Sequence, residues 1–145
     1  MKKGVAHCIV FGIGAFFYCL IEILWRGRTH WSMFMAGGLC FLCIGNVARK
    51  LRNACLLYKC ILGSIIITAV EFVFGCIFNL WMRLNVWDYS RIPFNIRGQI
   101  CLLYSVLWGI LCSVCIPIAE KLYNMLLKAN RYFGKSFLKR TAVKA

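Results

Sequence analysis

The sequence predicts an all-α integral membrane protein, a bundle of four transmembrane helices. Both termini are expected on the cytoplasmic side, with a long outer loop between the third and fourth helices. Three observations lead there. First, 62% of the 145 residues are hydrophobic and only 15% are charged; with a mean hydropathy of +0.76, that is more apolar surface than a soluble domain of this size can hide. Second, the apolar residues fall into four runs, each near the roughly 20 residues that cross a bilayer as a helix. Third, 18 basic side chains against 4 acidic ones cluster between and after these runs, as membrane flanks do. They are not patterned for nucleic acid, which is excluded as a partner.

The first span is expected at Gly4–Trp25. It follows Lys2 and Lys3 and could imitate a signal peptide. At about 22 residues it is too long for one, and Trp-Arg-Gly-Arg follows instead of a cleavage site, so it reads as a retained helix. The next spans are expected at Trp31–Val47, which is short, and Ala54–Leu80, which is long enough to tilt or protrude. The fourth is expected at Gly98–Glu120. Residues 1–120 thus form the membrane domain and 121–145 a basic, amphipathic cytoplasmic tail. In the tail, Leu122, Met125, Leu126, Ala129 and Phe133 recur near helical spacing among Lys121, Lys128, Arg131 and Lys135. It continues the fourth helix or lies on the anionic inner leaflet; a membrane-flanking basic end is preferred over a docking segment for a cytoplasmic partner.

Orientation follows from the basic residues. The N-terminus, second loop and tail together carry 13, whereas the first and third loops carry five: Arg26, Arg28, Arg83, Arg91 and Arg97. The positive-inside rule therefore places the chain in a cell inner membrane with both termini cytoplasmic.

The acidic residues are the most informative. Glu71 lies in the middle of the third run, where a carboxylate is costly unless protonated, paired or facing a polar interior. Ser64, Thr68, Glu71, Gly75 and Asn79 line one helix face. Cys8, Gly12, Ala15, Cys19, Glu22 and Arg26 do so on the first span, and Gly98, Cys101, Ser105, Gly109 and Cys112 on the fourth. Small residues in such stripes permit close helix approach, and for Gly12, Ser64, Ser105 and Gly109 that packing role is the preferred reading. Glu22 has Arg26 four residues on as an ion-pair partner. Glu71 has none on its own helix: Arg83 stands roughly 18 Å away at 1.5 Å per residue. Its partner must come from elsewhere, with Arg26, Arg28, His30, Arg91 and Arg97 as candidates, or it holds a proton, a bound cation or a cationic ligand.

The third loop, Met82–Gln99, is rich in aromatic and polar residues. Asp88, Ser90 and Asn95 are turn formers, and Pro93 holds Ile92 extended. Such a loop either marks the membrane interface through Trp87 and Tyr89 or caps an inter-helix cavity, with Asp88 orienting an arginine. In the first loop, Ser32 or Thr29 is expected to cap the second helix, and two arginines beside that helix start suit an anion such as a lipid phosphate. Together Glu22, Arg26, Arg28, His30, Glu71, Asp88, Arg91, Asn95 and Arg97 outline a ligand-binding or ion-coupling cavity open to the outside. Its mixed charge suits a small amphipathic, zwitterionic or otherwise charged solute.

Other chemistries carry less weight. Two Cys-x-x-Cys pairs, Cys40/Cys43 and Cys112/Cys115, lie within apolar runs, and no loop cysteine pair could relay their electrons. The ten cysteines read as small hydrophobes, with a metal site there disfavoured. No Walker A, Gly-x-Ser-x-Gly or His-Glu-x-x-His pattern is present. No cofactor or metal is expected.

The segment Glu22–Met33 (EILWRGRTHWSM) resembles the first signature of the putative ABC-transporter type IV family of CmpB-like small membrane proteins. Thr68–Phe72 (TAVEF) is similar to its second, and VWDYS at 86–90, PFN at 93–95 and GQIC at 98–101 are similar to its third. The resemblance implies a compact multi-span protein with a shared polar signature, and a link to ABC transport. The function expected is a small inner-membrane transporter or a solute- or lipid-binding membrane subunit. Four spans enclose little volume, so a homo-oligomer or a membrane partner protein is expected beside membrane lipids. A membrane enzyme acting on a lipid-linked substrate, and a structural or regulatory subunit of a membrane complex, are the alternatives.

Overall fold

The computed structural model describes the backbone of residues 3–142 and the side chains of residues 4–129. Among the described residues, four helices are long and apolar enough to cross a membrane. They are α1 (Lys3–Arg26), α2 (Trp31–Lys50), α3 (Leu56–Phe74) and α4 (Leu102–Ala142), with α3 continuing directly into a π-helix over Gly75–Trp81. Side-chain contacts bring the start of α1, the end of α2, the start of α3 and residues 120–123 of α4 together at one end, through His7–Tyr123, Arg49–Tyr123 and Lys59–Glu120. Arg26–Val86 and Asn79–Trp87 hold the loop from Met82 to Gln99 at the other.

Helix α2 is the centre. In its most apolar window 56% of residues are buried, against 17–22% for the other three helices. Glycine lets its neighbours come close: a Cβ at Gly37 would stand 2.3 Å from the Tyr18 Cβ, and one at Gly14 2.2 Å from the Phe41 Cβ. Gly12, by contrast, faces open space, so the seam of α1 runs through Gly14. Helix α4 meets α3 where Gly63 accommodates the Cys112 thiol and meets α2 where Gly45 accommodates Tyr123. The core contains Cys40, Ile44, Cys60, Ile67, Cys112 and Ile116. All ten cysteines are free thiols, and those in the core pack as small apolar groups.

One helix end closes as the tight turn at Gly27 suggests, and two others depart from the sequence expectation. Gly27, at φ 69°, takes the left-handed position after α1, where its N–H bonds Ile23 O at 2.9 Å. The cap of α2 is His30, whose Nδ1 accepts from the Ser32 N–H; Thr29 is drawn off to Glu22, and Ser32 lies inside the helix. Helix α4 begins at Leu102, not Gly98, because β1 (Asn95–Ile96) and β2 (Ile100–Cys101) form an antiparallel hairpin. At its tip Arg97 and Gly98 both have positive φ, 52° and 67°, and Gln99 N bonds Ile96 O at 3.0 Å. With Ile96 paired to Ile100, Arg97–Gln99 form a three-residue connection whose first two residues are left-handed.

Past residue 120, α4 stays helical and packed. Tyr123 is 1% exposed, lies edge-on to His7 and receives the Arg49 guanidinium over its ring at 4.5 Å. Nearby, Lys59 Nζ and Glu120 Oε1 form an ion pair of 2.7 Å between α3 and α4. The expected amphipathic pattern of the tail falls partly on Arg131, Phe133 and Lys135, outside the residues with described side chains.

Candidate functional site

Two polar constellations occupy the loop end of the bundle, and the loop between α3 and α4 contributes to both, through Val86 and Tyr89. The first is built on the end of α1. Buried Glu22 accepts from Arg26 Nη1 at 2.9 Å and from Thr29 Oγ1 at 2.7 Å, so both carboxylate oxygens are engaged. The other Arg26 nitrogen donates to the Val86 carbonyl, which ties the first loop to the third. His30 Nδ1 is occupied by Ser32, while Arg28 is exposed. Glu22, Arg26, Arg28, Thr29 and His30, with Leu84–Val86 opposite, line a cleft of about 220 Å³.

The second constellation surrounds Glu71, which is 6% exposed. Its Oε1 accepts from the Tyr89 hydroxyl at 2.8 Å, and its Oε2 from Trp108 Nε1 at 2.9 Å. The sequence suggested an arginine or His30 as partner; the structure instead supplies a phenol from the loop and an indole from α4. Among the described residues no ion pair involves Glu71. Tyr18, Met33, Phe74 and Trp87 help enclose it around a void of only about 10 Å³, room for one water at most. Tyr89 stacks on Tyr104 at 4.5 Å between centroids. Burial first, then the negative charge and hydrogen bond of Glu71, hold the Tyr89 phenol well above its ordinary range, so it remains a donor.

The loop closes over Glu71 because its backbone is pinned to buried amides. Asn79 Oδ1 accepts from Val86 N at 2.7 Å. Its Nδ2 donates to Trp87 O and to Gln99 Oε1, each at 2.9 Å. Trp87 Nε1 in turn donates to Gln99 O at 2.9 Å. The π-helix presents Asn79 to this network, and Gly75 lets Gln99 lie close: a Cβ there would meet Gln99 Oε1 at 2.6 Å. π-Helical turns of this kind are frequent at functional sites.

The remaining expected site residues lie on the outer surface of the loop. Asp88 is exposed, and both its oxygens are used by Ser90, from the backbone N–H at 2.8 Å and the hydroxyl at 2.9 Å. Those bonds, with a smaller contribution from the Arg91 charge, hold its carboxyl below the usual range. Asn95 staples the loop internally, donating to Ser90 O and Ile92 O and accepting from Gly98 N. Arg91 and Arg97 are exposed. Thus Glu22, Arg26, Arg28 and His30 come together in one cleft; Glu71 lies apart from it, and Asp88, Arg91, Asn95 and Arg97 line neither cavity.

Sequence reasoning missed Trp108 and Gln99. The signal for Trp108 was available: a buried indole N–H needs an acceptor, and the apolar spans offer few. On α3 and α4, Thr68 Oγ1 donates to Ser105 Oγ at 3.0 Å and Ser64 to the Ser105 carbonyl, so these small polar residues join the two helices.

The family whose profile matches, described as "Putative ABC-transporter type IV", is matched over residues 3–143. No curated protein and no solved structure matches the chain significantly. With nearly its whole length covered, including both polar constellations, the chain belongs to the putative ABC-transporter type IV family.

Proposed function

We propose that this chain is a small inner-membrane subunit of transport type, with cytoplasmic termini, that binds an amphipathic or charged solute at the loop end. The observation that carries the reading is the polar cleft of about 220 Å³ between the first and third loops, on a molecule whose flanks are otherwise apolar. There the Glu22–Arg26 pair acts as a gate, because Arg26 also holds the third loop through Val86. Arg28 in the cleft, with Arg91 and Arg97 exposed elsewhere on the outer loop, attracts an anionic head group. Lifting the loop withdraws Tyr89 from Glu71 and changes that carboxyl's partners as the solute enters. Four helices enclose little volume on their own, which favours a homo-oligomer or a partner subunit as the working unit.

Native mass spectrometry of protein gently released from membranes tests this. The expected result is a reproducible small-molecule adduct that is lost in Arg28→Ala and kept in Phe34→Ala, which removes an exposed apolar ring. A clean oligomer without adduct, or one holding a second protein, would overturn it in favour of a structural subunit. One observation favours that second reading: the void at Glu71 is nearly filled and both its oxygens are engaged by neutral donors, as an anchor for helix packing would be.

A further inference from the structure

Helices α1 and α4 touch only sparsely, and a cleft of about 310 Å³ opens between them on the side of the bundle. It runs from Ile13 to Ile21 on α1 and from Trp108 to Ile118 on α4, about 12–15 Å at 1.5 Å per residue. That is roughly half the hydrocarbon thickness of a bilayer, and its lining is apolar. Its floor is the informative part. Tyr18, Cys40, Ile67 and Trp108 line this cleft and the Glu71 chamber alike, so a single layer of side chains divides them. Within that layer the rings of Tyr18 and Trp108 stand 6.1 Å apart, tilted by 37°.

Behind the partition the chemistry is distinctive. A buried carboxyl without a cationic partner among the described residues is surrounded by Tyr18, Trp87 and Trp108, with Tyr89 bonded to it. Aromatic faces beside a carboxylate are what recognise organic ammonium groups, through cation–π attraction and charge. An alkyl chain needs an apolar trough, and the cleft provides one.

We propose that the cleft and the Glu71 chamber form one intramembrane site for a lipophilic ammonium, a single alkyl chain bearing a cationic head. The chain lies between α1 and α4, reached laterally from the bilayer. The head passes the Tyr18–Trp108 partition, and Trp108 swings toward the cleft and yields its place on Glu71 Oε2 to the ammonium. Charge complementarity selects this occupant over an ordinary lipid chain, because it gives a direct ionic partner to the buried Glu71 carboxyl, which is in neither ion pair among the described residues. The proposal shares Glu71 with the functional reading above but does not use the loop-end cleft.

The full chain in a neutral detergent is titrated with dodecylammonium and, separately, with dodecanol, and binding is followed by calorimetry and native mass spectrometry. One saturable dodecylammonium per chain is expected, bound at least tenfold more tightly than the alcohol. Glu71→Gln should bring the ammonium down to the level of the alcohol without changing the alcohol itself. Glutamine can remake both local contacts, its oxygen accepting from Trp108 and its amide donating to the Tyr89 oxygen. Leu111→Trp fills the cleft and should remove binding of both probes. Equal affinities in the wild type would overturn the proposal, as a hydrocarbon-only cleft, and that comparison needs no variant to fold. A dimer that binds neither probe, its cleft closed by a second copy, would overturn it too. Arg28→Ala should leave dodecylammonium binding intact. Absence of any Arg28-dependent adduct, with ammonium binding retained, would sink the loop-end reading alone.

Discussion

Asn79 is the residue on which closure of the outer loop should turn. Replacing it with alanine removes three hydrogen bonds at once, to Val86 N, Trp87 O and Gln99 Oε1. All three groups are buried, so water cannot replace the lost partner while the loop stays down. At about 1 kcal/mol net per bond the loop loses about 3 kcal/mol of closure free energy. With about 1.4 kcal/mol per factor of ten, the open population rises roughly a hundredfold. Hydrogen–deuterium exchange over residues 82–101 in detergent reads this directly, with α2 as internal control. Loop amides should exchange about two orders of magnitude faster in Asn79→Ala while α2 stays protected. Trypsin should then cut faster at Arg91 and Arg97. Asn79→Asp sharpens the argument: it keeps the acceptor for Val86 N but sets an oxygen against Trp87 O and Gln99 Oε1, so it should open the loop despite near-identical shape. Unchanged loop exchange in a folded Asn79→Ala protein would refute the reasoning. So would loss of protection spread equally over α2, which would make Asn79 a determinant of the whole bundle.

Three further outcomes are expected. Gly14→Ala should destabilise by about 1–3 kcal/mol through overpacking, because its Cβ would fall 2.2 Å from that of Phe41, whereas Gly12→Ala meets nothing within 4 Å and should be neutral; thermal unfolding of the two variants side by side checks this. Glu120→Ala should cost about 1–3 kcal/mol, below the range for fully buried pairs because Glu120 is 33% exposed while Lys59 is 7% exposed. The double variant Lys59→Met/Glu120→Ala should recover most of that stability in the same unfolding assay. Because the folded-state carboxyl of Asp88 titrates below its ordinary range, its turn should be intact above the usual aspartate pKa and be lost as pH falls through the lowered one; exchange at the Ser90 amide should show that loss, and Asp88→Asn should abolish the pH dependence.

The four spans were legible because a bilayer imposes length and hydropathy on any chain that crosses it, and α1 and α2 begin within a residue of where the pattern puts them. Glu71 and the Glu22–Arg26 pair were legible for the same reason: charge is conspicuous against an apolar background. The partners of Glu71 were not, because Tyr89 and Trp108 lie 18 and 37 residues away in sequence, and helix rotation decides which side chains meet. The hairpin at 95–101 was hidden by apolar continuity, since Ile100 and Cys101 flow into Leu102 without a break in hydropathy. Only the paired left-handed turn at Arg97-Gly98 distinguishes it. Tyr123 was read as part of a basic tail, although it is among the most deeply buried side chains of the bundle. The local pattern of charges around it gave no hint that α2 offers Gly45 as its seat.

Helices α3 and α4 are tied to each other by Lys59–Glu120 near one end and by Thr68–Ser105 further along, and Asn79–Gln99 ties the π-helix that extends α3 to the hairpin that leads into α4. Mechanically this pair is a braced strut. Helix α1 is riveted to α2 by glycine contacts, yet its seam with α4 is almost unfastened. A load applied anywhere, whether lateral pressure from the bilayer or the docking of another subunit, is therefore carried stiffly by the braced pair. The bundle should yield along its one loose edge, where α1 faces α4.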